Sequence, residues 1–327
     1  MAKSRKLEDL TAALSQLRTD PTSETGLATL HQIISSKYSV AVAQAAHLVS
    51  EFEIYSLVPD LVTAFKRFMV KPKDSDPGCR AKQAIANTLY RLEYSDETLF
   101  LQGIRHVQWE PVWGGQVDTA PGLQGTCALG LVRMHYPAVM VELADLLADP
   151  ELEARIAAAR AIAYSENEFG VALLRLRVKV GDVPSVIGEC LAALLKLAPT
   201  DSLDLIQTFL DAGRKTSDSA DAVEKAEVAA LVLGESRLPE AFPLLQDWWQ
   251  RTTHPDLRQV GLLAIATLRQ DAALEFLLNL IADGPLREAK NAFKALTIYQ
   301  QDERLWQQIR LTVEQRGISN TSLKKEN

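Results

Sequence analysis

Leu146-Leu147-Ala148-Asp149-Pro150-Glu151-Leu152-Glu153-Ala154-Arg155-Ile156-Ala157-Ala158-Ala159-Arg160-Ala161-Ile162 decides the fold. A leucine-rich segment stops at Asp149-Pro150. A second segment starts with proline in its first turn, where the missing N–H costs nothing. Alanines then recur at three- and four-residue spacing, which gives a helix one smooth face on which a neighbour can lie close. The phrase reads as helix, tight turn, helix.

The same phrase returns in both directions. Asp76-Pro77-Gly78-Cys79-Arg80 leads into Ala84, Ile85 and Leu89; His254-Pro255-Asp256-Leu257-Arg258 leads into Gly261, Leu262 and Ala264; Asp283-Gly284-Pro285-Leu286-Arg287 leads into Ala289, Ala292 and Phe293. Weaker copies start at Val183-Pro184 and at Ser219-Ala220-Asp221. Arg155 and Arg258 stand about 103 positions apart, which three repeats of about 34 residues fill. Arg80 and Arg155 stand about 75 apart, two repeats with something inserted.

Eight helix pairs follow from this period: 24–37 with 38–52, 55–70 with 77–92, 96–108 with 121–136, 137–148 with 150–165, 169–180 with 184–197, 201–212 with 221–234, 239–252 with 255–269, and 271–282 with 285–300. Helices at 4–18 and 302–316 close the ends. Each pair has an apolar face that only a stacked neighbour can bury. The expected architecture is all-α, an α-solenoid of about eight helical hairpins with capping helices. It forms one domain over 1–317, followed by a polar, disordered tail at 318–327.

Asp-Pro, a few residues, Arg, then an Ala-rich helix ending in Leu resembles the HEAT repeat, in the short bacterial form of the phycobilin-lyase-like HEAT proteins. The resemblance spans about residues 24 to 317. It implies the fold strongly and the function weakly, because that family includes scaffolds, lyases, hydroxylases and DNA-repair enzymes. It also implies a structural role for the repeated turn residues. Arg80, Arg155, Arg258 and Arg287 would pair with Asp76, Asp149 and Asp283, or with a neighbouring repeat, and hold the units in register.

Composition agrees with the helical reading. Aromatic residues are 6 % of the 327 and the net charge is −7; Leu and Ala, the best helix formers, dominate the apolar content. No stretch reaches the roughly 18 uncharged apolar residues of a membrane-spanning helix. The basic N-terminus is followed by no apolar run, so a secretory signal is not expected. Three widely spaced cysteines, Cys79, Cys127 and Cys190, suit a reducing cytoplasm and apolar packing rather than a disulfide framework or metal site.

Residues 1–100 carry 12 basic and 12 acidic side chains, so the whole acidic excess lies beyond them. That excess opposes the phosphate contacts on which nucleic-acid affinity depends. The five histidines form no metal-ligand pair, and neither a Gly-x-Ser-x-Gly elbow nor a phosphate-cradling loop is present. No catalytic residue, metal or cofactor is assigned.

One segment breaks the repeat. Trp109-Glu110-Pro111-Val112-Trp113-Gly114-Gly115-Gln116-Val117-Asp118-Thr119-Ala120 separates the helices of the third pair. A connection of about a dozen residues is long for a compact fold, and such connections are often functional. It holds two of the five tryptophans. The rings either fold back to plug a gap between repeats or form a binding element, since Trp is favoured at interface hot spots. Arg105 and His106 precede it as a charged edge, and Glu110, Gln116 and Asp118 complete the candidate set.

The function these features point to is an adaptor that binds another protein through the Trp segment and the concave face of the second helices. That face would present Arg160, Glu189, Lys196, Glu227, Gln259 and Lys290. Two alternatives come from the resemblance: a phycobilin-lyase-like, tetrapyrrole-handling protein with its ligand near the Trp segment, and a DNA-glycosylase-like protein using Trp109, Trp113 and Asp118 in a basic groove.

Overall fold

The computed structural model describes residues 2–17 and 20–317. The tail expected at 318–327 and the end of the first helix at Arg18 lie outside the described residues. The chain divides between Glu166 and Asn167 into two compact units.

The first unit holds α1 (Ala2–Leu17), α2 (Glu24–Ile34), α3 (Ser39–Glu51), α4 (Val58–Phe68), a single turn α5 (Pro72–Ser75), α6 (Arg80–Arg91), α7 (Glu97–Ile104), α8 (Pro121–Arg133), α9 (Val139–Leu147) and α10 (Leu152–Ser165). Between α7 and α8 lies an antiparallel hairpin, β1 (Trp109–Val112) and β2 (Gly115–Asp118). The second unit holds α11 (Phe169–Val180), α12 (Pro184–Leu197), α13 (Pro199–Ala212), α14 (Ala220–Ser236), α15 (Ala241–Arg251), α16 (Pro255–Thr267), α17 (Asp271–Asp283), α18 (Leu286–Leu296) and α19 (Glu303–Gln315). The architecture is all-α, and the eight expected pairs appear as α2/α3, α4/α6, α7/α8, α9/α10, α11/α12, α13/α14, α15/α16 and α17/α18.

Proline opens α8, α12, α13 and α16 in the first turn. Side-chain oxygens cap α2 (Ser23 to the Gly26 amide, 3.2 Å), α7 (Asp96 to Thr98, 2.9 Å) and α19 (Asp302 to Leu305, 3.0 Å). These groups satisfy amides that the first turn leaves without partners.

Within each unit the second helices pack in a row. In the first, α3 lies against α6, α6 against α8 and α8 against α10; in the second, α12, α14, α16 and α18 follow the same order. The close approach follows from small residues. Ala45, Ala46, Ala84, Ala229, Ala230 and Ala264 are buried. A Cβ on Gly234 of α14 would lie 2.5 Å from the Ala264 carbonyl oxygen of α16. Polar ties cross the same contacts: Thr88 Oγ1 donates to Ala46 O at 2.8 Å, and Tyr299 Oη to Ala266 O at 2.6 Å.

The register of the repeats is held differently from the expected Asp–Arg ladder. Asp76 pairs with Lys82 rather than Arg80. Among the described residues, Arg80, Asp283 and Arg287 are exposed and unpaired. Arg155 donates to the Asp149 and Pro150 carbonyls at 2.9 and 2.7 Å, while an Asp149 carboxylate oxygen accepts the Glu151 amide at 2.8 Å. Arg258 donates to the Trp249 and Thr252 carbonyls at 3.0 and 3.1 Å, stacks 4.2 Å from the Trp249 ring centre and reaches Glu288 in the next pair. Arginines outside the repeated phrase act alike. Arg67 donates to Ile34 O and Ser36 O at 2.7 and 2.8 Å, Arg133 to Tyr94 O at 2.7 Å, and Arg316 to the carbonyls of Ile281 and Gly284. The physical reason is the helix C-terminus. Its last carbonyls have no intrahelical donor and form the negative end of the macrodipole, so a five-donor cation suits them better than a second anion would.

Candidate functional site

The segment between α7 and α8 is a β-hairpin rather than the irregular loop the sequence reading anticipated. Glu110 opposes Val117, Pro111 opposes Gln116, and Val112 opposes Gly115, leaving a two-residue turn at Trp113-Gly114. Gly114 has φ +89°, a value that a side chain resists. The pairing continues at the base, where the Thr119 amide donates to Gln108 O at 3.1 Å. Because α7 stops at Ile104, residues 105–108 descend into the hairpin instead of extending the helix as expected.

Beneath the hairpin lies a buried polar cluster. Lys82 Nζ stands 3.1 Å from Asp76 Oδ2, and both side chains are fully buried. Asp76 sits at the N-terminus of α6 and also accepts the Ala81 and Lys82 amides at 2.9 and 3.0 Å. A carboxylate there is stabilised by the helix dipole, by two backbone donors and by the ammonium. Asp118, 6 % exposed, accepts the amides of Gln108 at 2.7 Å and Ala120 at 3.0 Å. Glu110 Oε1 accepts the Gly78 amide at 2.7 Å, Gln108 Nε2 at 2.6 Å and Thr119 Oγ1 at 3.1 Å. Gln108 Nε2 also donates to Asp76 O at 2.9 Å, and Gln124 Nε2 to His106 O at 3.0 Å. The hairpin is thus bolted to the start of α6 through Gln108 and Glu110, while Asp118 of the second strand closes its base.

The electrostatics match this assignment. Partial burial pushes the Glu110 carboxyl up, but the bonds from Gln108, Gly78 and Thr119, together with the Lys82 charge, bring it below its usual range. Burial, with Lys82 nearby, lowers the His106 imidazole, against the raising effect of its 3.1 Å contact with Gln108 Oε1. Burial pushes the Cys79 thiol up to about 12, so it is a packed, unreactive group.

The seven candidate residues separate into two sets of three, with Arg105 apart from both. Trp113 is wholly exposed and Trp109 37 % exposed, with Gln116 also facing solvent. His106, Glu110 and Asp118 turn inward as anchors. Arg105 is committed to Glu142 of α9 through a two-pronged ion pair, Nε to Oε2 at 2.9 Å with the second prong from Nη2 to Oε1. The charged edge expected beside the tryptophans is therefore not formed: Arg105 is paired with Glu142, and His106 turns inward, where burial lowers its pKa. Trp113 plugs no gap, since its ring has no protein against it. The DNA-glycosylase-like arrangement also needs Asp118 open to a ligand, whereas its carboxylate is turned into the base of the hairpin.

Lys82, Gln108 and Gln124 join the site through tertiary contacts rather than through their spacing in the sequence. The legible signal was Lys82, which shares a helix face with the buried Ile85, Ala86 and Leu89, where a lysine needs a buried partner. Of the second-helix residues, Glu227 and Gln259 line a groove of about 370 Å³ across α14, α16 and α18, with Asp256, Val260, Leu263 and Lys294.

No family model matches the chain, and no curated protein matches it. Solved structures similar to it include the complex of CpcE and CpcF of phycocyanin lyase from Nostoc sp. PCC7120, with a TM-score of 0.37 and 17 % identity over 72 % of this chain and 89 % of that one.

Proposed function

We propose that residues 1–317 act as a HEAT-like α-solenoid adaptor in the cytoplasm, binding another protein through the hairpin and the faces of the second helices. The observation that carries the reading is Trp113, fully exposed at the tip of a hairpin whose base is fixed by buried hydrogen bonds. A large aromatic ring in water is unfavourable for the free protein, and a hairpin backbone already fixed at its base lowers the entropy lost when a partner covers the ring. Trp109, Val112 and Val117, each more than a third exposed, add apolar surface elsewhere on the hairpin. In this reading the buried carboxylates are anchors and do no chemistry.

The test is affinity capture on wild type and Trp113→Ala, with a photo-crosslinking residue at Gln116 to identify the captured protein. An anchoring tryptophan is worth about 2 kcal/mol or more, so the variant should lose about 30-fold in affinity for that protein. Equal capture by both, or crosslinks to no protein, would reject the hairpin as the binding element.

A further inference from the structure

Three of the four second helices of the first unit carry an unusual charge pattern. In a chain with 42 acidic residues, α3, α6 and α8 contain one carboxylate, Glu51, at the last position of α3. Between α3 and α6 their exposed face opens into a groove of about 380 Å³. Its floor includes Ala43 and Ala84, and its walls carry Gln44 and His47 from α3 and Arg80, Gln83 and Asn87 from α6. These spacings of three, four and seven residues put each set on one face of its helix.

No carboxylate lines the groove. Among the described residues Arg80 has no hydrogen-bond or ion-pair partner. Asp76, the acidic group nearest in sequence, is taken up by Lys82 and two amides. A primary amide offers a donor and an acceptor together, which is what one peptide unit requires. Gln83 and Asn87 are four residues apart on a helix, about 6 Å. Two residues of an extended chain span about 6.6 Å, so the two amides can meet alternate peptide units.

From this we infer that the α3/α6 groove binds an extended acidic segment of a partner protein. Gln44, Gln83 and Asn87 hold its main chain, and Arg80 pairs with an Asp or Glu side chain. The inference rests on the adaptor reading and names the class of partner segment. A nucleic acid would also bring anions to Arg80. However, among the described residues Arg80 is the one Lys or Arg lining the groove, too few to follow a phosphate backbone, and the paired amides fit a peptide backbone.

The experiment selects a random dodecapeptide library on the wild-type full chain, then measures the enriched peptides, fluorescein-labelled, by anisotropy. The expected peptides are enriched in Asp and Glu, and replacing their acid by Lys abolishes binding. Arg80→Ala should weaken them about tenfold, as loss of one charge-assisted pair does, and Arg80→Glu should weaken them further. The double variant Gln83→Ala/Asn87→Ala should also bind less, which keeps the test open if Arg80→Glu melts early. Neutral or basic winners, no enrichment over a protein-free selection, equal binding by Arg80→Glu, or tighter binding of a labelled oligo-dT would overturn the proposal. Trp113→Ala should bind these peptides unchanged, so failure of the groove and failure of the hairpin reading show up separately.

Discussion

The second-helix rows of the two units use one backbone plan to present opposite surfaces. Both open grooves of similar size, about 380 Å³ between α3 and α6 and about 370 Å³ across α14, α16 and α18. The first is walled by amides, His47 and Arg80 without a carboxylate. The second has Glu227 and Asp256 beside Val260, Leu263 and Lys294. The buried small residues that set the helix spacing are alike in both units, so packing fixes the shape of each groove and leaves its charge free to differ. The stacking face makes the repeat, and the exposed face selects what lies on it.

The units differ inside as well. The first buries an ion pair, Asp76–Lys82, at the start of α6. In the second, Arg258 at the start of α16 keeps a quarter of its side chain in water and shares itself among two carbonyls, a ring and Glu288. Lys82→Met should show the largest effect. It strands the Asp76 carboxylate with its two amides, and urea unfolding should register a loss of about 3–5 kcal/mol, the usual result of halving a buried pair. Arg258→Ala should lose only about 1–2 kcal/mol, because the freed carbonyls and Glu288 can rehydrate. Equal losses would erase the distinction between the two turns.

The next effect is on pH dependence, and it belongs to the first unit. The folded His106 has a lowered pKa, so as pH falls below about 6.5 the unfolded chain takes up a proton that the folded chain refuses, and stability declines. The folded Glu110 carboxyl is also lowered. Its contribution is complete above about 4.5 and is lost as pH falls through the folded value. Stability should therefore fall in two stages on acidification, with hydrogen exchange accelerating first at the hairpin and at the Gly78 amide. His106→Gln should flatten the upper stage and Glu110→Gln the lower. A pH profile unchanged in both variants would remove these residues from the anchor.

The smallest expected effect is that of Trp113→Ala on stability, under about 0.5 kcal/mol, because its ring touches nothing. A drop of several degrees in the melting temperature would mean that the ring packs in solution, which would return it to a structural role.

Much of the helical plan could be read from residues close in sequence. Asp149-Pro150 separates two helices by rules that operate within a turn, although α10 starts at Leu152, past the proline rather than on it, and the alanine spacing declares which face packs. The hairpin was legible in part. Trp109-Glu110-Pro111-Val112 and Gly115-Gln116-Val117-Asp118 alternate around a glycine pair, a strand signal overshadowed by the helical repeats on either side. The candidate site stands out in the sequence as a departure from the period, but nearness in the chain is all that groups its seven residues there. Adjacent residues in a strand point to opposite faces, which is why Trp109 meets solvent and Glu110 turns toward Gly78.

By itself the sequence determined the helices, their pairing, the burial of small residues between neighbours and the place where the repeat is interrupted. All of these depend on local propensity and on periodic apolar faces. Only the tertiary structure decided which charges are spent. Gly78 meets Glu110 across 32 positions and Arg105 meets Glu142 across 37. A carboxylate becomes an anchor, or an arginine a helix cap, only when a donor or a carbonyl distant in sequence arrives within about 3 Å. That separation is set by how the repeats stack, and the same stacking leaves Trp113 and Arg80 unclaimed at the surface.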